Sequence, residues 1–429
     1  MDFNFTEEQG MLRDSLAKMI RDQYDFESRR KVVASAEGWR KDMWMQFAEL
    51  GLMMAPFSEE DGGLGGGPID AMVVMEEFGK GLVVEPYVPS VVCGGGFIKR
   101  GTDAQKEEYL TGIMSGETIF AFAYAEPRGR YNLADLETTA KKDGEGFVIN
   151  GHKAVVIGAP WATHLIVTAR TSGGRRDANG VTVFVVEKTA PGVSTRDYPT
   201  VDGRRASEVY FENVAVGAEA VIGEVDNGLP LIELVSDEAI AALCAEACGA
   251  MKVAHEMTVE YSRQRKQFGT PIGKFQVLQH RMVDMYTAYE TSVSLTYLAT
   301  IKLDAGEKER KRTASAAKVG VGQAARLIGI PPFLIMIRHV LPNVVGPVLV
   351  IATINLGLAI ITEATLSFLG VGAPPTKPSL GTLIRIGQEF MFSGEWWILF
   401  FPAATLLALA LSINLLGDWL RDALNPRLR

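Results

Sequence analysis

The sequence predicts an α+β protein of helical, antiparallel β and helical domains, followed by an apolar tail with two transmembrane helices. Three observations predict it. Apolar residues recur at helical spacing near the start and again after residue 228, short β-rich runs fill the middle, and charge nearly vanishes beyond Val340. In chain order, Thr6 and Gln9 have the spacing of a capping box ahead of Met11, Leu12, Leu16 and Ile20, so a helix starts near Glu7. Further helices are expected at 39–50 and 69–78, and through 109–114 after a second capping-box spacing at Thr102 and Gln105. The texture then changes. Phe120 to Tyr124 opens a set of strands at 147–149, 154–157, 165–169, 181–186 and 209–211, with Asp143-Gly144 and Asn150-Gly151 as hairpin dipeptides. After Asp226-Asn227-Gly228 the helical period returns at 229–263, 275–305 and 308–329. The expected domains are therefore 1–119, 120–226, 227–329 and a membrane segment 330–429.

Two stretches of that last segment, 344–368 and 396–417, reach the length of about 20 residues that a bilayer requires. Glu363 alone interrupts the first, and Trp396-Trp397 marks one edge of the second, where interfacial aromatics belong. The N-terminal residues MDFNFTEEQG lack a basic region followed by an apolar run, so no signal peptide is expected.

The chain has 43 Lys+Arg against 51 Asp+Glu, a net charge of −8, which leaves no broad basic footprint for nucleic acid. Cys93, Cys244 and Cys248 form no CxxC pair and no disulfide framework, so a reducing compartment and no metal are expected. Cys244 and Cys248 share a helix face and read as core. The glycine cluster at 62–67 lacks the GxGxxG register and no strand leads into it, so it reads as an interhelical turn. Arg263 to Gly269 is more informative. A guanidinium suits a pyrophosphate, an aromatic beside it can stack on a purine, and a glycine admits close backbone approach.

That segment, RKQFGTPIGKFQVLQHRMVDM, resembles the RxxFGxxI motif of the acyl-CoA dehydrogenases. So do Phe5-Thr6-Glu7-Glu8-Gln9, Ser58 to Gly65, Ala125-Glu126-Pro127 and Asn150-Gly151-His152-Lys153, in the family's order. Residues 123–135 and 199–203 look most like the small subunits of pimeloyl-CoA dehydrogenases. The resemblance runs from the N-terminus to about Gly329. It implies FAD-dependent α,β-desaturation of a pimeloyl-like acyl-CoA, in which a carboxylate takes the α-proton and the flavin the β-hydride. Carried over by motif, Arg265 and Phe268 meet the FAD pyrophosphate and adenine, often across a subunit interface, with Gln276 nearby. Phe122, Ala123, Tyr124, Val155 and Val156 line the flavin.

The departures from the family pattern are informative. Ala125 stands where a Thr is usual, and Val155-Val156-Ile157 replaces a Trp-x-Thr/Ser. In the family the catalytic Glu sits at one of two places. The helical one aligns with Ala239, and the other lies in a C-terminal segment that the resemblance implies is missing after Gly329, which leaves the domain at 227–329 truncated. No base is assigned, and the neighbouring Asp237 and Glu238 read as surface carboxylates near a helix start. The resemblance therefore fits a subunit that needs a homologous large dehydrogenase subunit, or a homo-oligomer, to complete its site.

Beyond Gly329 the pattern changes again. Gln323 to Gly329, nine residues, then His339-Val340-Leu341-Pro342 resembles the EAA loop of ABC-transporter permeases, with Gln323 for Glu. Residues 343–429 resemble the end of a dipeptide or oligopeptide permease. This implies an ABC ATPase subunit as partner through 323–342, and a hairpin with both ends inside. Arg326, Arg338, Arg421, Arg427 and Arg429 flank it, against Lys377 and Arg385 in the connecting loop. The expected location is the cytoplasmic face of the cell membrane, or the cytoplasm if the tail is an artefact. Residues 324–329 read acceptably in both families, as in a chimera of two coding sequences with neither activity.

Overall fold

The computed structural model describes residues 5–329, 341–372 and 379–423, without the side chains of 327–329, 341–354, 414, 416–418 and 420–423. The chain divides into two compact units, Met1–Gly329 and Ile330–Arg429. In the first, helix α1 (Glu7–Gln23) begins with a reciprocal capping box. Gln9 N–H donates to Thr6 Oγ1 and Thr6 N–H to Gln9 Oε1, both at 3.2 Å. Helix α2 (Phe26–Ala34), which periodicity does not announce, is opened by Asp25, whose carboxylate caps Glu27 and Ser28. Helices α3 (Lys41–Glu49), α4 (Pro68–Gly81), α5 (Gly95–Ile98) and α6 (Asp103–Ser115) follow, the last with its own capping box at Thr102. Between α4 and α5 the chain winds as a π-helix over Val88–Gly94. The glycine cluster at 62–67 forms turns between α3 and α4. Trp44, Phe47, Phe78, Tyr87 and Phe97 fill the core, and Trp44 Nε1 donates to Gly116 C=O at 2.9 Å.

The β domain is a mixed sheet rather than the purely antiparallel one expected. Its strands are β1 (Phe120–Ala123), β2 (Thr139–Asp143), β3 (Gly146–Ile157), β4 (His164–Arg170), β5 (Val181–Glu187), β6 (Val193–Pro199), β7 (Arg205–Val216) and β8 (Val221–Ile222). They are ordered β6-β7-β3-β2-β4-β5-β8, and β1 lies parallel to β4. Asp143-Gly144 makes the hairpin expected of it, with Gly144 at φ +58°. Asn150-Gly151 does not turn. The two expected runs at 147–149 and 154–157 are one strand, β3, and Gly151 sits at a register shift where a Cβ would overlap Thr138.

Helices α7 (Leu229–Gln264), α8 (Gln276–Ile301) and α9 (Glu307–Gly329) close the first unit. Cys244, Cys248, Met251, Ala299, Ala317, Val321 and Ala324 pack together where the three meet. Against α4, helix α7 approaches to backbone contact. A Cβ on Gly79 would overlap the Glu246 carbonyl, and one on Gly249 the Glu76 carbonyl. Glycine is required at both positions because no side chain fits between the axes.

The second unit corrects the expectation of a two-helix hairpin. Among its described residues are three α-helices, Leu341–Phe368, Leu380–Phe390 and Trp397–Ala423, and the loop expected between two spans contains the middle one, capped by Ser379 on Thr382 N–H. Among the described residues no helix is long and apolar enough to cross a membrane, so the spans expected at 344–368 and 396–417 are not met there. Within 355–368, Asn355, Thr362, Glu363, Thr365 and Ser367 interrupt the apolar run. Gly381 lies on the Ala364 backbone and Gly387 on that of Leu399, so small residues bring these helices together. Of the expected ATPase-docking segment 323–342, residues 330–340 lie outside the described residues.

The crossing gives a test. Gly249→Ala lowers unfolding stability in urea by about 3 kcal/mol, whereas Gly10→Ala, in open space within α1, raises it by about 0.5–1 kcal/mol. Equal effects would contradict the close approach.

Candidate active site

A cavity of about 470 Å³ opens in the first unit between the β domain and the helices. One wall is β1 and the residues after it: Phe122 and Tyr124 stack with centroids 4.8 Å apart, and Val155 and Ile157 of β3 and Trp161 adjoin them. The other wall is α7, which presents Ser236, Ala239, Leu243 and Glu246 at helical spacing. Met75 and Phe78 of α4, the segment 83–89, Arg204 before β7 and Lys318 of α9 complete it. Val155 is β-branched yet adopts φ +53° at a β-bulge, and it is half exposed beside Tyr124. Backbone strain of this kind survives only where surrounding structure holds it.

The residues singled out for the flavin divide in two. Phe122, Tyr124 and Val155 line the cavity, while Ala123 and Val156 alternate to the opposite face and are buried in the sheet core. Arg265, Phe268 and Gln276 are elsewhere. Arg265 caps the end of α7, Phe268 forms the turn of the two-stranded hairpin at 266–271 and is 94% exposed, and exposed Gln276 begins α8. None of the three borders the cavity. Asp237 and Glu238 are buried rather than on the surface, and both are committed: Asp237 accepts from Arg310 Nε at 2.9 Å, Glu238 from Arg100 Nη2 at 2.7 Å. Sequence reasoning missed Glu85, Arg204 and Glu246, which line the cavity. A lone acid in the apolar run 82–89, and a second two turns beyond Ala239 on one helix face, were the available signals.

Beneath the wall lies a buried ion pair. Lys153, 0% exposed, donates from Nζ to Glu126 Oε1 at 2.7 Å and to Thr168 Oγ1 at 3.1 Å. Glu126 also accepts the backbone N–H groups of Glu137 and Thr138, so it ties β1, β3 and the loop before β2 together. Burial pushes the Lys153 ammonium down to about 8, with Glu126 opposing the fall. Burial acts to raise the Glu126 carboxyl, but Lys153 and the two amides outweigh it and hold the group below its ordinary range. Burial also pushes Cys93, on the cavity wall, up to about 12, and Cys244 and Cys248 to about 11 and about 12, so these thiols stay protonated. Among the described residues, no cluster of His, Cys, Asp or Glu could hold a metal ion.

A helical, β and helical chain with a cavity between sheet and helices is the arrangement to which known proteins can be compared. The acyl-CoA dehydrogenase N-terminal domain matches residues 6–117, the middle domain 121–214 and the C-terminal domain 226–329. The chain belongs to the acyl-CoA dehydrogenase family, whose members are FAD-dependent oxidoreductases. It is 31% identical over 329 residues to the 3-(aryl)acrylate reductase of Clostridium sporogenes, covering 75% of this chain and 86% of that one. It is 33% identical over 292 residues to the mitochondrial isovaleryl-CoA dehydrogenase of Oryza sativa subsp. japonica, covering 67% and 71%. The solved FAD complex of PigA superposes with TM-score 0.71 at 25% identity, over 77% of this chain and 87% of that one. Residues 314–429 match the binding-protein-dependent transport system inner membrane component, so the chain is a fusion of both. The two matches overlap on 314–329, within α9.

The cavity wall suits the ring system of FAD, because Phe122, Tyr124 and Val155 offer an aromatic and apolar face that is partly open to solvent. Arg265, expected at the pyrophosphate, is not on it.

Lys153→Met strands the Glu126 carboxylate and lowers stability by about 3–5 kcal/mol, measured by urea unfolding. The Glu126→Gln/Lys153→Met double variant recovers part of that loss. Glu126 binds fewer protons folded than unfolded, so its contribution is present above its ordinary value of 4.5 and disappears as pH falls through and below it. Glu126→Gln flattens that acid limb.

Proposed function

We propose that the dehydrogenase part takes part in FAD-dependent α,β-desaturation of an acyl-CoA, completed by a partner subunit that carries the base. The carrying observation is Ala239, which borders the cavity at the helical position where the family resemblance expects a catalytic Glu. Other carboxylates on the cavity are engaged: Glu126 with Lys153, and Asp135 with Arg175 and Arg176. FAD, when bound, supplies the hydride acceptor. The chain's own residues bind the acyl group along α7, exclude water, and present Phe122, Tyr124 and Val155 to the ring, with the backbone of Ala123 and Val156 behind them. Arg265, Phe268 and Gln276 then meet the pyrophosphate and adenine of an FAD shared with a second subunit, either a large homologue or another copy. The exposed hairpin and the exposed apolar residues Met257, Tyr261, Val277 and Val283 nearby support a subunit contact there.

The transport-system match over 314–429 favours a second reading, in which the tail joins a permease complex at the cytoplasmic face of a membrane. Against ATPase docking through 323–342 stands the packing of Ala324 into the α7–α8–α9 cluster.

The full chain, purified in mild detergent with and without a large dehydrogenase subunit, is expected to carry FAD by its absorbance spectrum. Arg265→Ala/Phe268→Ala weakens FAD retention about tenfold or more. A chain without flavin in both preparations contradicts the first reading, and co-purification with an ABC ATPase supports the second.

A further inference from the structure

The strained backbone at Val155 has a built support in the sheet. Lys153 pairs with Val209 and Val156 with Ser207, so Ala154 and Val155 together stand opposite the single residue Glu208. A bulge of this kind takes backbone groups out of the ladder and leaves them to find other partners. The Ala154 N–H donates to Ala125 C=O at 2.8 Å. The Val155 N–H donates to the phenol oxygen of Tyr198, which comes from β6, on the far side of β7 from β3. Opposite Tyr198 on β7 stands the small residue Ala206. Tyr198 in turn donates its O–H to Glu208 Oε1 at 2.9 Å, and His152 Nε2 lies 2.6 Å from Glu208 Oε2. The His152 ring is stacked on Tyr210, with centroids 4.3 Å and planes 15° apart. Burial and the bond to Glu208 push the Tyr198 phenol up to about 12. It therefore keeps its proton for the carboxylate at neutral pH, while its oxygen accepts the amide.

We infer that Tyr198, oriented by Glu208 and His152, is a positioning residue for the flavin wall, because it holds the Val155 amide and so keeps Val155 in the left-handed conformation beside Tyr124. The inference rests on the FAD reading above. Tyr198, Glu208 and His152 do not border the cavity, so they act through Val155 and not on a ligand. Val155 is half exposed, and water can satisfy its N–H equally well. What water does not do is fix the direction in which that amide points. A β-branched residue released from such a hold returns to ordinary extended backbone, where its side chain is unstrained. The bulge then loses its shape, and Phe122, Tyr124 and Val155 no longer present one face. Strain maintained at a ligand wall by a chain of three polar side chains is a preformed site, in which the cost of ordering the wall is met on folding and not on binding.

The test measures FAD affinity of the full-length protein by flavin fluorescence, and amide hydrogen exchange over residues 154–157 in the flavin-free protein. Tyr198→Phe keeps the ring and removes the hydroxyl. It weakens FAD binding about fivefold or more and speeds exchange over 154–157. Glycine adopts positive φ without strain, so in a Val155→Gly background the same change alters FAD affinity by less than about twofold. Glu208→Gln, which keeps an acceptor for the phenol, retains most of the wild-type affinity, whereas Glu208→Ala behaves like Tyr198→Phe. Equal FAD affinity in wild type and Tyr198→Phe, or a loss undiminished by Val155→Gly, overturns this inference and leaves the FAD reading standing. If the wild type takes up no FAD, that reading fails, and exchange decides the rest. Faster exchange in flavin-free Tyr198→Phe supports the hold on Val155, and unchanged exchange overturns it.

Discussion

The contact between α4 and α7 is the constraint on which the rest of the first unit depends. Gly79 and Gly249 let the two helices touch through their backbones, with Glu246 C=O and Glu76 C=O where side chains would otherwise stand. Beside that contact, Met75 and Phe78 of α4 and Ala239, Leu243 and Glu246 of α7 line the cavity. The β domain closes the third side, and its strands are held together by a buried ion pair as well as by apolar packing. Lys153 and Glu126 hold β1, β3 and the loop before β2 in one register, so Phe122, Tyr124 and Val155 reach the cavity together. A charge pair of this kind contributes little net stability when intact but specifies geometry, because either partner alone is costly.

Local signals in the sequence were reliable where the physics is local. Both capping boxes, at Thr6 and Thr102, formed because each needs four consecutive residues and no tertiary help. Asp143-Gly144 and Asn150-Gly151 carry the same hairpin signal, yet only the first turns. At Asn150-Gly151 the closeness of Thr138 and the pairing of β3 with β7 override the dipeptide. The motif residues Arg265, Phe268 and Gln276 were legible by type, but their distance from Phe122 and Val155 was not, since helical period does not say where the end of a 36-residue helix lies. Glu85, Arg204 and Glu246 come from a loop, a β-turn and a helix, and their convergence is a property of the packed fold. No window of sequence contains it.

The tail carries a different lesson. Its composition suggested two membrane spans, but a capped helix, Leu380–Phe390, occupies the expected loop, and Thr362, Glu363 and Ser367 interrupt the described part of the first run. Helix α9 carries the overlap of the two family matches. Residues 314–329 match both families, and Ala314, Ala317, Val321 and Ala324 are buried in the dehydrogenase unit. A stripe of small residues suits either context, which explains why one helix satisfies both patterns.

The central claim is that this family member retains an acyl cavity while its helical base position is filled by Ala239. The most direct measurement is anaerobic mixing of the FAD-loaded chain with an acyl-CoA it binds, followed by flavin absorbance, for wild type and Ala239→Glu. The account predicts that the wild type alone leaves the flavin oxidised, and that a carboxylate at 239 accelerates its bleaching by about a hundredfold or more, as general-base catalysis supplies. Rapid bleaching by the wild type without a partner would contradict it, because a base would then already be in place.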